Sequence, residues 1–270
     1  EHFDNYLTDY CPRIFDVIRG ERTGWNPMFI IKKDDKSKTG IDPKFLTPMI
    51  KSSSELSSIL FSNNFSHYFF VCKEKYKNLN SSTKNWIDKF KNKPNKNGSK
   101  TISEANANHK PYWYSLQPKT ANIITAINPY ERFFFTYSQK PFVIDQRLIV
   151  MKTNNLFDAV LIMALLSFVI TYLFFLMIGF FRNLGALDLN STYLKKLRAL
   201  NPDLLNEEQK QAIKKAFHAI EKRKVGTIFE EVKQPDRINF DKVVLRSFGI
   251  NTKILDYIYS MLIESVYDRV

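Results

Sequence analysis

Two short stretches come nearest to reactive spacing. Asn128-Pro129-Tyr130 has the order of an Asn-Pro-aromatic loop, the kind that holds an extruded base while its exocyclic amine is methylated. That chemistry also needs a second proline in the loop and a Gly-rich strand-to-helix turn for the cofactor. The second proline is absent, and the chain's eight glycines form no such turn. The triplet is therefore expected to be a structural turn, with Asn and Pro in their usual parts. Glu231-Val232-Lys233 fits the Glu-x-Lys half of a metal-nuclease signature. It falls at a helix end or loop with no paired aspartate on a preceding strand, and reads as surface charge. Cys11 and Cys72 stand in no CxxC or Cys/His spacing, and His2, His67, His109 and His218 add no ligand pattern. No Ser/His/Asp or Cys/His arrangement is visible. No catalytic residue and no metal site are assigned.

The positive charge is the more informative feature. Forty Lys and Arg against 27 Asp and Glu leave a formal charge of +13. Such an excess suits a polyanionic partner, nucleic acid first and an anionic membrane surface second. An inert basic surface, or one that meets an acidic protein, explains the same excess. Arg19 and Arg22 flank Gly20, and Thr23-Gly24 follows, so a tight backbone turn would carry two guanidinium groups able to reach phosphates or a guanine edge. Lys51 with Ser52, Ser53 and Ser54 offers one cation beside several hydroxyls, a sound phosphate-contact set. Lys84, Lys89, Lys91, Lys93 and Lys96 form the densest patch and would supply salt-dependent, sequence-independent attraction. Lys214, Lys215, Lys222, Arg223 and Lys224 cluster on or after a helix. Each set is equally explained as a solvated face. Trp113 and Tyr114 could stack on a base, although aromatics beside strands are more often core.

The elements that must position these residues change character along the chain. Residues 1–152 show short apolar runs at 28–31, 68–71, 133–135 and 142–144, each bounded by turn residues, and are expected to be β-rich. Residues 73–110 carry ten lysines and are expected to hold one short helix over 83–90, then an exposed basic loop. From 153 to 270 the helical period dominates. Helices are expected over 205–224, 239–248 and 252–269, with Gly249 as a C-cap.

Residues 159–181 run for 23 positions without a charge, long enough to cross a bilayer. Lys152 and Arg182 flank the run on both sides, so they indicate no orientation, and no Trp marks an interface. A buried helix, or a helix pair broken near Ser167 or Gly179, is the favoured reading; a single-span membrane protein is the alternative. The opening EHFDNYLTDYCPRIF has no basic region followed by an apolar one, and so is not a signal peptide. Two reduced thiols suit a cytoplasmic protein, and the missing initiator Met suits a piece of a longer one.

Four collinear segments carry a family resemblance. They are Arg19-Gly20-Glu21-Arg22-Thr23-Gly24-Trp25-Asn26 before Met28-Phe29-Ile30-Ile31, and Ile41-Asp42-Pro43 through Leu46-Thr47-Pro48-Met49-Ile50-Lys51-Ser52. His109-Lys110-Pro111-Tyr112-Trp113-Tyr114 through Asp145-Gln146-Arg147-Leu148 comes next. The last is the apolar run into Arg182-Asn183-Leu184-Gly185-Ala186-Leu187-Asp188, with Lys195-Lys196-Leu197 and Asn201-Pro202 beyond. Ile228-Phe229-Glu230-Glu231 and Pro235-Asp236-Arg237 follow as a tail. In this order they resemble the target-recognition, C-terminal region of gamma-class, TaqI-like adenine-specific DNA methyltransferases of type II restriction–modification systems. The chain departs from the family at Leu166-Ser167, where Asn-Ser is common, and in its lysine-rich 73–110 stretch.

The resemblance implies an α+β protein with a β-rich target-recognition module over 1–152 and a helical supporting section over 153–270. It implies sequence-specific binding of double-stranded DNA for a catalytic methyltransferase domain outside this chain. The parent would use S-adenosylmethionine; this fragment would bind no cofactor. Arg19, Arg22, Thr23, Lys51 and Ser52, with Lys84, Lys89, Lys91 and Lys93, are the expected DNA-binding residues.

Overall fold

β-Branched and aromatic residues dominate the strands of the first half, where alternate side chains must pack on a pleated face. The computed structural model describes residues 3–20, 22–62, 64–126, 130–132, 134–146, 148–154, 156–181 and 187–268. Asn128-Pro129, Arg147 and the 182–186 segment lie outside them. In chain order the elements are β1 (Leu7–Asp9), β2 (Phe15–Arg19), α1 (Asn26–Phe29), β3 (Ile30–Lys32), α2 (Lys36–Thr39), β4 (Leu46–Ile50) and β5 (His67–Phe70). Then come α3 (Ser81–Lys91), α4 (Ile102–Ala105), β6 (Thr120–Ala126), β7 (Thr136–Ile144) and β8 (Leu148–Thr153). The second half holds α5 (Ala159–Ser167), α6 (Val169–Ile178), β9 (Phe180–Phe181), β10 (Leu187–Asp188), α7 (Ser191–Leu194) and β11 (Arg198–Leu200). It ends with α8 (Glu207–Phe217), α9 (Ile228–Glu231), α10 (Pro235–Ser247) and α11 (Ile254–Tyr267). The protein is α+β, as expected.

One seven-stranded sheet runs in the order β2-β8-β6-β7-β4-β5-β3. Its neighbours are antiparallel except β4 and β7, which are parallel at Met49↔Val143 and Ile50↔Ile144. β1 lies outside this sheet and pairs with β11, tying the start of the chain to the helical half. Secondary structure changes from strand to helix after Thr153, but packing does not follow that line. One apolar core joins sheet residues such as Ile123, Tyr137 and Met151 to Leu165, Phe175, Phe217 and Phe240 of the helices. A second core lies within residues 28–116 plus Val143 and is closed by Ile87 and Phe90 of α3.

Several local expectations are corrected. Residues 28–31 are not one strand: Pro27, in the first turn of α1, fixes a helical φ, and the strand begins only at Ile30. Phe134 and Phe135 are buried but precede β7. α8 stops at Phe217 instead of continuing to 224, and the turn that follows brings Ile220 and Val225 back into the core. The lysine-rich stretch is more ordered than a loop. Asn80 caps α3 through the Thr83 N–H, and a Thr101/Glu104 capping box starts α4.

The apolar run is a helix pair bent by 73° at Phe168, whose backbone is extended. Every residue from Leu161 to Ser167 is buried. No single helix among the described residues is long and apolar enough to cross a membrane. The break is stitched by polar groups. Thr171 Oγ1 donates to the Leu165 carbonyl at 2.8 Å, and the Val169 N–H donates to Asp241 Oδ1 at 3.3 Å. Asp241 is wholly buried; it accepts from Arg237 Nε at 2.8 Å and from the Tyr259 hydroxyl at 2.7 Å. A buried carboxylate is tolerable only with such partners.

Candidate nucleic-acid interface

The residues singled out in the sequence gather in two places. The first is a corner of the sheet where β2 and β4 end against the turn between β7 and β8. Arg19 Nε donates to the Gln146 carbonyl at 2.7 Å. Its terminal guanidinium nitrogens make no bond among the described residues, and the side chain is exposed. Gly20 lies so close to the same turn that a Cβ would stand 2.1 Å from the Asp145 carbonyl oxygen. The Asp145 N–H in turn donates to the Ile50 carbonyl at 3.0 Å, which places Lys51 beside the turn. Ser52 starts a capping box with Glu55, whose Oε1 accepts from the Lys51 and Ser52 N–H groups at 2.9 and 3.0 Å. Glu55 is thus occupied by backbone donors, its other oxygen taking the Ser66 N–H at 3.2 Å.

This corner also contains residues that the sequence did not mark. His67 opens β5 between β3 and β4, opposite Lys32 on one side and Met49 on the other. It is half-buried, and its Nδ1 meets Ser66 Oγ at 2.6 Å. Burial pushes the imidazole below its ordinary pKa, and the charges of Lys51 and Lys32 push the same way. Glu55 and Asp145 oppose them. Strand register alone brings Lys32, Lys51 and His67 together, and no spacing in the chain announces it.

The second place is α3. Lys84 Nζ donates to the Lys77 carbonyl at 3.2 Å and lies 5.7 Å from the Tyr76 ring centre. Lys89 stands 5.3 Å over Trp86 and Lys93 5.1 Å over Phe90. Lys89, Lys91 and Lys93 are exposed. Cation–π contacts of this kind contribute about 0.5–1 kcal/mol each at exposed sites and hold the ammonium groups over an aromatic base.

The 20–26 loop links the two places. Arg22 is exposed there, whereas Thr23 is buried and bonds within its own turn, Oγ1 to Asn26 Oδ1 at 2.5 Å. Gly24 has a φ of 70°, which suits glycine, and faces Asn106 of the α3 lobe. Trp86 Nε1 donates to the Met28 carbonyl at 3.2 Å.

Other candidates prove structural. The Tyr114 hydroxyl donates to the Glu74 carbonyl at 2.8 Å, and Trp113 packs on the second core. Lys214 pairs with Asp158 at 2.8 Å. Arg223 binds Glu231 through both terminal nitrogens, at 2.7 and 2.8 Å, and Asp236 through Nε at 2.6 Å. Glu231 is therefore a buried ion-pair partner and not the surface charge that Glu231-Val232-Lys233 suggested.

No family model and no curated protein matches the sequence. Solved structures do. The type IIG restriction endonuclease BpuSI superposes with a TM-score of 0.67 at 12% identity, over 98% of this chain. The chain has the fold of a segment of a restriction endonuclease. It spans about a third (32%) of that protein's length. The type IIL restriction-modification enzyme MmeI, solved in complex with DNA, aligns with 95% of this chain and 35% of its own. Its identity is 13% and its TM-score 0.44, below the level at which a shared fold follows.

Proposed function

We propose that this chain is the DNA-binding, target-recognition part of a restriction–modification enzyme, and that it presents double-stranded DNA to an adenine-specific methyltransferase part of the same system. The observation that carries this reading is the sheet corner. Arg19 and Lys51 stand beside the Asp145-Gln146 turn there, and His67 and Lys32 follow on the two strands next to β4, on a fold shared with a restriction endonuclease. The terminal guanidinium nitrogens of Arg19, which make no bond among the described residues, are suited to phosphate oxygens or to a guanine edge, and the α3 lysines add attraction that no base pair specifies.

In this reading S-adenosylmethionine is bound outside this chain, and an apolar cavity within the chain does not suit it. The apolar cavity of about 490 Å³ between α6 and α11 is lined by residues such as Ile170, Leu173, Phe174, Ile258 and Met261, with Asp4 as its single charged residue. It offers no Gly-rich strand-to-helix turn and no cluster of polar groups for a ribose and an amino-acid moiety. The cofactor would belong to the catalytic part.

Binding to a randomised duplex library near physiological salt, with the recovered DNA sequenced over successive rounds, tests the reading. Enrichment of one short, adenine-containing motif is the expected result. Absence of binding at low salt would remove DNA as the partner.

A further inference from the structure

The cations of the sheet corner are arranged as a site and not as a scattered surface. Lys32, His67 and the end of β4 are neighbours across three adjacent strands, with Lys32 and Met49 on either side of His67 and Lys51 two residues beyond Met49. Lys32 is exposed and Lys51 half-buried, and neither ammonium group makes an ion pair or hydrogen bond among the described residues. Glu55 and Asp145 lie close enough to offset part of this charge, but Glu55 forms no ion pair with either ammonium group among the described residues. Glu55 is held by three backbone N–H groups, of Lys51, Ser52 and Ser66. Asp145 is buried inside the turn. Ser66 Oγ fixes one ring nitrogen of His67, so the imidazole has a set orientation.

We propose that Lys32, Lys51 and His67 form one phosphate site for a DNA backbone phosphodiester, and that seating the phosphate there adds a proton to His67, so that DNA binding is proton-linked. The proposal rests on the DNA-binding reading above. In the free protein burial, then Lys51 and Lys32, hold the ring below its ordinary pKa, against Glu55 and Asp145. A phosphate between the cations adds negative charge to that of the two carboxylates and tips the balance toward the protonated ring. The proton comes from solvent, and no covalent bond changes. The sign follows from linkage: the complex holds one more proton than its parts, so affinity rises as pH falls.

The test is the Kd for a labelled random-sequence duplex at fixed salt, from about pH 8 to about pH 6, the range in which histidine titrates. In the wild type Kd should fall with pH, approaching tenfold per pH unit at the steepest point, the limit for uptake of one proton. His67→Gln should lose that dependence, whereas His109→Gln and His218→Gln should keep it. Lys51→Met should weaken binding throughout and reduce the dependence, because it removes one of the charges that lower the pKa of the free imidazole. A ring-proton titration of His67 by NMR in the wild type, with and without the duplex, reads the same event without a variant and should show its pKa rising on binding. Salt-sensitive binding with no pH dependence, or an unchanged dependence in His67→Gln, would overturn the phosphate site and leave the DNA-binding reading standing. No duplex binding at any pH would overturn both.

Discussion

At the scale of single residues, Gly20 shows how the corner is built. A side chain there would meet the Asp145 carbonyl carbon at 2.6 Å and the Ile144 oxygen at 2.7 Å, both backbone atoms that cannot swing aside. The sequence reading that Gly20 permits a close backbone approach is right in kind, but the approaching backbone is the protein's own. Gly20→Ala is expected to destabilise the fold by about 3 kcal/mol, the upper end of ordinary overpacking, measured as the shift in urea midpoint at unchanged slope. A change within ~0.5 kcal/mol, the usual range for a surface substitution, would mean that the turn yields freely. Arg19 and Lys51 were legible because arginine beside glycine, and lysine beside serines, are polar sets that a sequence displays. His67 and Lys32 were not, since their meeting depends on which strands pair. Thr23 was legible only as a polar residue, and its burial follows from the hydrogen bond to Asn26.

At the scale of elements, local signals did best where they were self-contained. α3 and α11 lie within two residues of their expected bounds, and α10 ends within a residue of its expected end but starts four residues early, at Pro235. Period and capping act within a few residues: Asn80 caps α3, and Gly249 follows α10 with a φ of 70°. The α3 lysines give this scale its first prediction. Neutralising Lys89, Lys91 and Lys93 together should weaken binding to all duplexes alike and lower the salt slope by up to about 3, near 0.9 per phosphate contact. Loss confined to one DNA sequence would contradict their assignment as backbone contacts. The break between α5 and α6 gives the second. Asp241→Ala removes the cap of α6 and leaves Arg237 buried without its carboxylate, at a cost of about 3–5 kcal/mol in denaturant unfolding. Adding Arg237→Met should recover part of that loss, because the stranded charge goes with it. Failure of the second substitution to recover any stability would show that the helix cap, and not the buried charge, carries the cost.

At the scale of the whole molecule, the shared core is what composition and periodicity could not reveal. Nothing in the letters around Thr153 says that Ile123 and Met151 of the sheet share one core with Phe217 and Phe240 of the helices, or that β1 leaves its half to pair with β11. Residues 1–152 expressed alone should therefore lack a cooperative unfolding transition and fixed near-ultraviolet signals, even if their strands form. A sharp transition in that fragment would show that the sheet stands without the helices. The α+β class itself was legible, because runs of strand-like letters give way to helical period along the chain.

The Asp241 carboxylate has a consequence in time as well as in space. It is made 72 residues after Val169, the backbone it caps. At ~5–20 residues per second, a ribosome would extend the chain for about 4–14 s between the two. Throughout that interval the most apolar stretch of the protein has only the local Thr171 contact at its bend and lacks the carboxylate that caps α6. A growing chain at this stage presents the same letters as a membrane anchor, with the sheet already made as the apolar surface it can pack on and the Asp241 cap still to come.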